Sequence, residues 1–204
     1  FVHDPRNPVP TIGGAITSGA PVMHGGAFDQ RLGPDVFGAR PPWLPMAARP
    51  DILVFESAPL EADIEVTGTV RVVLHVSCSA PDADFTAKLI DVCPPSADFP
   101  QGFAMNLTDG IMRCRFRKSW TSPEPLIPGE RVEITIELPP VSNLFAKGHR
   151  IRVDIAGSNF PRFDVNSCIG ESGQEWQLAT QTVHCGQSRL ELPILRPRDG
   201  AQGN

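Results

Sequence analysis

The sequence lacks the short motifs that identify a catalytic site within a single chain. The serine nucleophile elbow, G-x-S-x-G, is absent, and the nearest segment, Gly170-Glu171-Ser172-Gly173, lacks the final spacing. Dinucleotide-binding G-x-G-x-x-G, phosphate-binding loops and the H-E-x-x-H zinc motif are also missing. We therefore predict no catalytic residue in this chain and expect it to be inactive by itself.

An excess of basic residues and a long apolar run are absent too. The chain has 18 Lys and Arg against 23 Asp and Glu, a net charge of −5. A mildly acidic chain has no electrostatic footprint for nucleic acid, and no apolar run approaches the length of a membrane span. We predict neither a nucleic-acid partner nor a membrane partner. The first residue is Phe1 and no signal peptide follows, so we expect the natural beginning to be missing.

Paired cysteine motifs are absent as well. Five cysteines are widely spaced without a C-x-x-C pair, and an odd number cannot pair completely. We predict reduced thiols and a cytoplasmic location. The acidic residues follow no calcium-loop pattern, and Asp82-Ala83-Asp84 is equally a turn signal. We therefore predict no metal site and no cofactor.

Proline and glycine, in contrast, are abundant: 22 and 18 of the 204 residues. Nine prolines and seven glycines lie in residues 1–50, where no stretch keeps a period of two or of 3.6 residues. Such a segment cannot form a core of its own. We therefore predict two parts: a Pro/Gly-rich segment over residues 1–50 that wraps a neighbouring surface, and a β-sandwich over residues 51–204.

From residue 51 onward, apolar and polar residues alternate. The alternation recurs in about nine short stretches, which predicts half-buried strands with one wet face. Thr67-Gly68, Asp109-Gly110 and Lys147-Gly148 are predicted turns, and residues 170–179 are a plausible short helix. The fold class is therefore all-β: an antiparallel jelly-roll (galactose-binding-like) sandwich with a long irregular N-terminal segment.

Two groups of residues could bind a partner. Arg113, Arg115, Arg117 and Lys118 form a positive stripe on one predicted strand, for which pairing with Glu133 and Glu137 is the favoured interpretation. The loop 157–164 contains Asn159, Phe160, Arg162 and Phe163, which can anchor an interface or fold back on the domain's own sandwich.

Several segments together resemble one enzyme family. The sequence is similar to the C-terminal β domain of the X-Pro dipeptidyl-peptidase, cocaine-esterase and α-amino-acid ester hydrolase family, and the resemblance covers nearly the whole chain. The segments that carry it are residues 4–14 (DPRNPVPTIGG), 51–60 (DILVFESAPL), 65–68 (EVTG), 84–92 (DFTAKLIDV), 106–117 (NLTDGIMRCRFR), 148–152 (GHRIR) and 158–164 (SNFPRFD).

The resemblance implies a non-catalytic jelly-roll domain that follows an α/β-hydrolase domain and a helical cap. The Ser, Asp and His of the family's triad precede this domain, so none is carried onto a position here. The implied partner is the catalytic domain of the same protein, and a homo-oligomer stays open. The predicted interface or pocket-wall residues are Ile16, Val22, Met23, His24, Trp43, Asn159, Phe160, Arg162 and Phe163.

A different class of function stays open beside this one. A stand-alone jelly roll can bind carbohydrate or serve oligomerisation. The chain has no tyrosine and three tryptophans, which weakens the carbohydrate alternative because sugar platforms favour exposed Trp and Tyr. The substrate of the parent enzyme, whether a Pro-peptide, an aryl ester or a β-lactam acyl group, is not determined by this sequence.

Overall fold

Alternating apolar and polar residues form the strands of this protein. A computed structural model describes residues 1–18, 22–169 and 175–195. Within these residues the chain has nine strands, two single-turn 3₁₀ helices (Met46–Ala48 and Cys114–Phe116) and no α-helix. The strands are β1 (Val2–His3), β2 (Ile52–Glu56), β3 (Ile64–Cys78), β4 (Asp84–Cys93), β5 (Phe103–Arg113), β6 (Val132–Phe145), β7 (Arg150–Ala156), β8 (Ala179–Val183) and β9 (Arg189–Glu191).

The strands form two antiparallel sheets. One has the order β1-β8-β3-β6, with β9 also paired to β3, and the other has the order β2-β7-β4-β5. The core lies between the sheets, where Phe85 and Leu89 of β4 meet Ile136 and Leu138 of β6. The prediction of an all-β sandwich with about nine strands is confirmed.

Strand β4 differs from the expected half-buried pattern. Phe85, Ala87 and Leu89 face the core, as their spacing predicts, but Thr86 and Lys88 on the opposite face are buried as well. The expectation of a wet face is therefore wrong for β4. The reason is that the N-terminal segment lies over this face, through residues such as Gln30. The boundary at residue 50 stays a prediction.

The structure corrects several local predictions. Asp109-Gly110 lies inside β5, and Thr67-Gly68 lies inside β3 next to an irregularity of register, so neither is a turn. Lys147-Gly148 does form a turn. Of the proposed helix, residues 170–174 lie outside the described residues, residues 175–178 are not helical, and Ala179 begins β8.

The predicted arginine stripe is also corrected. Strand β5 ends at Arg113, and the residues that follow form a 3₁₀ turn, so the basic side chains do not project from one strand face. Glu133 instead contacts His75 at 3.2 Å, and Glu137 contacts Arg71 at 2.8 Å.

Among the described residues, no helix has the length and apolar character required to cross a membrane. All five cysteines fall in the described part of the chain, and all are free thiols.

Candidate functional site

The outer face of the four-stranded sheet carries charged side chains that are buried. Lys88 of β4 is 4% exposed, and the strand register places it beside Asp109 of β5 and Asp154 of β7. Direct cross-strand neighbours share one face of a sheet, so the ammonium group lies between two carboxylates. Burial lowers the pKa of Lys88, and the charges of Asp109 and Asp154 oppose that shift. This face is therefore a polar interior rather than a wet surface.

Two arginines complete this buried charged layer. Arg152 donates to both carboxylate oxygens of Asp154, at 2.7 and 2.6 Å. Arg162, from the loop after β7, donates to Oδ1 of Asp109, and Asn159 Nδ2 donates to Oδ2 at 2.5 Å. Burial raises the pKa of Asp109, while the positive charge of Arg162 opposes that change. Both buried carboxylates thus have a guanidinium partner, which buried charges require.

Residues 9–11 hold the loop that supplies Arg162. The backbone N–H of Thr11 donates to the carbonyl oxygen of Phe160 at 2.7 Å, and the N–H of Phe160 donates to the oxygen of Val9 at 2.9 Å. The N–H of Val9 donates to Ser158 Oγ at 2.9 Å. The structure therefore brings together the N-terminal segment and the loop 157–164, which the sequence analysis singled out separately.

The segment then passes directly over the charged layer. Gly14 has a φ of +103°, and a Cβ there would lie 2.6 Å from Asp109 Oδ1. Gln30 accepts from Lys88 Nζ at 3.4 Å and donates to the carbonyl oxygen of Ile12 at 3.0 Å. Because a side chain at position 14 would collide with the layer, glycine is required for this close approach.

The two sides of the N-terminal segment have different roles. Its inner side is apolar and buried, and it forms a small second core with Ile52 and Ala156. The anchoring residues are Val9, Ile12, Leu32 and Met46. Its outer side also carries large apolar side chains, each at least 39% exposed: Ile16, Val22, Phe28, Phe37, Trp43 and Leu44. We call these six residues the outer apolar surface.

The predicted interface residues of the segment differ in exposure. Ile16 is 53% exposed, Trp43 is 41% exposed, and Val22 and His24 are also exposed. Met23 is only 7% exposed, and its carbonyl oxygen accepts from Ser18 N at 3.1 Å. A partner would therefore meet the other four before it met Met23.

The predicted residues of the loop 157–164 lie closer to the charged layer. Asn159 is buried, whereas Phe160, Arg162 and Phe163 are half-buried. The centroid of the Phe160 ring lies 5.9 Å from that of Phe37. The guanidinium carbon of Arg162 lies 5.2 Å from the centroid of the Phe163 ring.

Sequence reasoning missed Lys88, Asp109, Gly14, Phe28 and Phe37. A charged residue within a strand of alternating pattern is expected on the wet face, so Lys88 gave no signal of burial. Phe28 and Phe37 lie in a segment without periodicity, where composition alone does not separate inner from outer residues.

Two basic residues of the predicted stripe, Arg113 and Arg115, contact buried aspartates where β4 begins and β5 ends. Arg113 donates to both oxygens of Asp84 at 2.8 Å, and Arg115 Nη1 donates to Asp82 at 3.0 Å. Asn166 Nδ2 links the two carboxylates, at 3.0 and 2.7 Å. Burial raises the pKa of Asp84, and Arg113 opposes that change. These contacts are internal, so this cluster holds loops together.

Arg117 and Lys118 are paired elsewhere. Both contact Glu124 Oε1 at 2.8 Å. All four basic residues thus contact acidic side chains of the protein and do not form a positive stripe that could bind an acidic ligand.

Two observations concern metal binding and nucleophilic catalysis. Within the described residues, one group of metal-binding side chains occurs, formed by Asp91, Cys93 and His149, whose ligand atoms lie within 4.8 Å of one another. The segment Gly170–Gly173, the nearest approach to a nucleophile elbow, lies outside the described residues.

The comparisons with known proteins agree with this architecture. Residues 16–191 match the family described as the X-Pro dipeptidyl-peptidase C-terminal non-catalytic domain. The chain is 38% identical to the cocaine esterase of Rhodococcus sp. (strain MB1 Bresler) over 96% of its own length and 32% of that protein. It is 31% identical to a putative serine esterase of Mycobacterium bovis over 72% of its length and 24% of that protein.

Solved structures show the same relationship. An α-amino acid ester hydrolase superposes with a TM-score of 0.79 at 29% identity, over 96% of this chain and 32% of that one. An aminopeptidase from a marine sediment Thaumarchaeota archaeon superposes with a TM-score of 0.80 at 31% identity, over 96% of this chain and 33% of that one. The chain thus spans about a third of the length of these relatives and corresponds to their C-terminal part. It belongs to the family of the X-Pro dipeptidyl-peptidase C-terminal non-catalytic domain.

Proposed function

We propose that this chain is the C-terminal domain of a serine α/β-hydrolase that cleaves ester or peptide acyl bonds, and that its outer apolar surface packs against the catalytic domain. The observation that carries the proposal is the two-sided N-terminal segment. Its inner side is fixed to the sandwich, and its outer side exposes six large apolar side chains. Several large apolar side chains left exposed on one segment favour an interaction surface.

The buried charged layer supports the same proposal. Gly14 and Gln30 contact side chains that are themselves fixed by ion pairs and hydrogen bonds. The segment is therefore anchored to the sheet at Gly14 and Gln30 before a partner binds, and a preorganised surface loses less entropy on association. A domain built in this way supports a catalytic domain and can form part of a substrate-pocket wall, for which Trp43 and Ile16 are the proposed residues.

The chemistry of the parent protein is proposed from its relatives. The names of the relatives describe esterases, an amino-acid ester hydrolase and an aminopeptidase, all of which transfer an acyl group to water. The chain itself has no G-x-S-x-G, so the nucleophile would come from the catalytic domain. We also propose a cytoplasmic location, which the five free thiols support.

A pair of tryptophan substitutions tests the interface in the full-length protein. Trp43→Ala is expected to lower thermal stability or kcat/KM, because the substitution removes apolar area from the domain contact. Trp120→Ala is the matched control, since Trp120 is 72% exposed and lies outside the outer apolar surface. The same two substitutions in the isolated chain measure what each costs the domain itself, and only the additional loss in the full-length protein is assigned to the domain contact.

The proposal fails if Trp43→Ala and Ile16→Ala both behave like Trp120→Ala in the full-length protein. A reading frame with a start codon immediately upstream of Phe1, and no catalytic domain, would refute the parent hydrolase altogether.

A further inference from the structure

The carboxylate of Asp91, near the end of β4, is buried and has no arginine partner within the residues that the structure describes. Five aspartates are buried among the described residues, and four of them contact an arginine. The exception is Asp91, whose side chain is 2% exposed and contacts the His149 imidazole and the Asn143 amide but no arginine or lysine in the described part of the chain. Buried carboxylates are normally paired with a positive charge, so Asp91 stands apart from the rest.

The side chains around Asp91 are of the kind that bind transition metals. His149 Nδ1 lies 2.9 Å from Asp91 Oδ1, and the ligand atoms of Asp91, Cys93 and His149 all lie within 4.8 Å of one another. Nitrogen and sulfur ligands combined with one carboxylate oxygen suit Zn²⁺, whereas Ca²⁺ and Mg²⁺ require oxygen ligands.

The fold places these three residues together by strand geometry. Asp91 and Cys93 are two residues apart at the end of β4, so both point to the same face of the sheet. The β4–β7 register pairs Val92 with Arg150, which brings His149 beside Cys93. The backbone at His149 is fixed by hydrogen bonds to Leu60 and Ala146, of 2.8 and 3.0 Å. The ligand set is therefore held by a sheet and a tight turn.

We propose that Asp91, Cys93 and His149 form a zinc site with three protein ligands and a water in the fourth position. One thiolate and one carboxylate neutralise the two charges of Zn²⁺, which suits a site where Asp91 is buried. On binding, the Cys93 thiol loses its proton to solvent, and His149 carries its single ring proton on Nε2 while Nδ1 binds the metal. Cys93 and His149 are half-buried, so the ion can reach the site from solvent.

Asn143 supports the arrangement from the opposite sheet. Its Nδ2 donates to Asp91 Oδ2 at 3.2 Å, which orients the carboxylate and leaves Oδ1 directed toward His149. A hydrogen bond that orients a metal ligand in this way is typical of protein metal sites. The ion would then connect β4 to the start of β7, with β6 joined through Asn143, and close this end of the sandwich.

Cobalt titration of the full 204-residue chain, freed of metal with a chelator, tests the site. The wild-type chain is expected to bind one Co²⁺ with a thiolate-to-cobalt absorption band and tetrahedral d–d bands, and Zn²⁺ is expected to displace it. Cys93→Ser is expected to abolish the thiolate band. Cys185→Ser is the matched control and is expected to retain it, because Cys185 is an exposed thiol beside His184 that could bind metal adventitiously.

The remaining ligands are tested by Zn²⁺ affinity and thermal unfolding. His149→Gln is expected to lower the affinity for Zn²⁺ by at least about 100-fold, and Asn143→Ala by about tenfold. Zn²⁺ is expected to raise the Tm of the wild-type chain and to leave the Tm of His149→Gln unchanged. This measurement leaves the buried Asp91 in place. The absence of a thiolate band in the wild-type chain overturns the proposal, as does a band lost in Cys185→Ser but retained in Cys93→Ser.

Discussion

The Asp109 carboxylate is fully buried and accepts hydrogen bonds from Arg162 and Asn159. Lys88 lies beside it on the same face of the sheet. Removing one member of a buried ion pair leaves an uncompensated charge, which is more costly than the net stabilisation of the intact pair. The pair therefore fixes the loop after β7 against the sheet, and with it the residues that contact the N-terminal segment.

Arg162→Met tests this account at the level of a single residue. The substitution is expected to lower the free energy of unfolding by about 3 kcal/mol, because Asp109 stays buried without its guanidinium. Asp109→Asn in the same chain is expected to recover part of the loss. Arg189→Met is the control, since Arg189 pairs with Glu191 on the surface, and is expected to cost less than about 0.5 kcal/mol. Urea unfolding measures all four chains; equal losses in Arg162→Met and Arg189→Met would contradict the account.

His3 gives the molecule a predictable pH dependence. It is 3% exposed, and burial lowers its pKa from the ordinary value of 6.5, although the carbonyl of Asn166 and the charge of Asp84 oppose the shift. Below pH 6.5 the unfolded chain therefore binds a proton at this position before the folded chain does. The contribution of His3 to stability is present above pH 6.5 and decreases as the pH falls toward the folded-state pKa.

The measurement is the difference between His3→Gln and the wild-type chain. The wild-type chain is expected to lose more stability than the variant between pH 7.5 and pH 5.5, measured by urea unfolding at each pH. Burial raises the pKa of Asp84 and Asp109, which acts in the opposite direction, but both are present in both chains. His24→Gln, at an exposed position, is expected to keep the wild-type dependence. Parallel curves for wild type and His3→Gln would exclude this role of His3.

At the scale of elements, the N-terminal segment depends on glycine where it crosses the sheet. Gly14→Ala places a Cβ 2.6 Å from Asp109 Oδ1, which is held in place by Arg162 and cannot move aside. The substitution also enforces a φ of +103° on a residue with a side chain. We expect a loss of about 3 kcal/mol or more in the free energy of unfolding.

Gly38→Ala separates the two causes of this loss. Gly38 has a φ of +78°, and a Cβ there would have no neighbour within 4 Å. Its substitution is expected to cost only the backbone term, about 1–2 kcal/mol. If the two alanine variants unfold at the same urea concentration, the close approach of Gly14 to Asp109 makes no energetic contribution.

The elements also show which parts of the fold were accessible to sequence reasoning. Alternation identified β3, β6 and β7, because one face of each meets the core and the pattern records that directly. Asp109-Gly110 was interpreted as a turn because the dipeptide is typical of turns. In the structure, a Cβ on Gly110 would lie 2.9 Å from Leu138 Cδ2, so the glycine serves close packing between β5 and β6. Local sequence does not distinguish these two uses of glycine.

At the scale of the whole molecule, the candidate surface could be predicted only in part. The composition of residues 1–50 indicated a wrapping segment, and the role of Ile16, Val22 and Trp43 in an interface stays a prediction, for which their exposure leaves room. The charged layer beneath it was not predicted, because a lysine and two aspartates on neighbouring strands look like a solvated face until the segment is placed over them. The register of β4 with β5 and β7 brings these residues together across long sequence separations, which no local pattern reveals.

Amide hydrogen exchange can compare the isolated chain with the full-length protein. If the outer apolar surface is covered by the catalytic domain, amides of residues 22–44 are expected to exchange about tenfold more slowly, or slower still, in the full-length protein. The β3–β6 pair is the internal control, because it lies in the opposite sheet, and its amides are expected to exchange equally in both. Slower exchange confined to β3 and β6 would place the domain contact on the five-stranded sheet. Unchanged exchange over residues 22–44 would remove the segment from the interface, since contact with a second domain is expected to raise the free energy of the local openings that permit exchange.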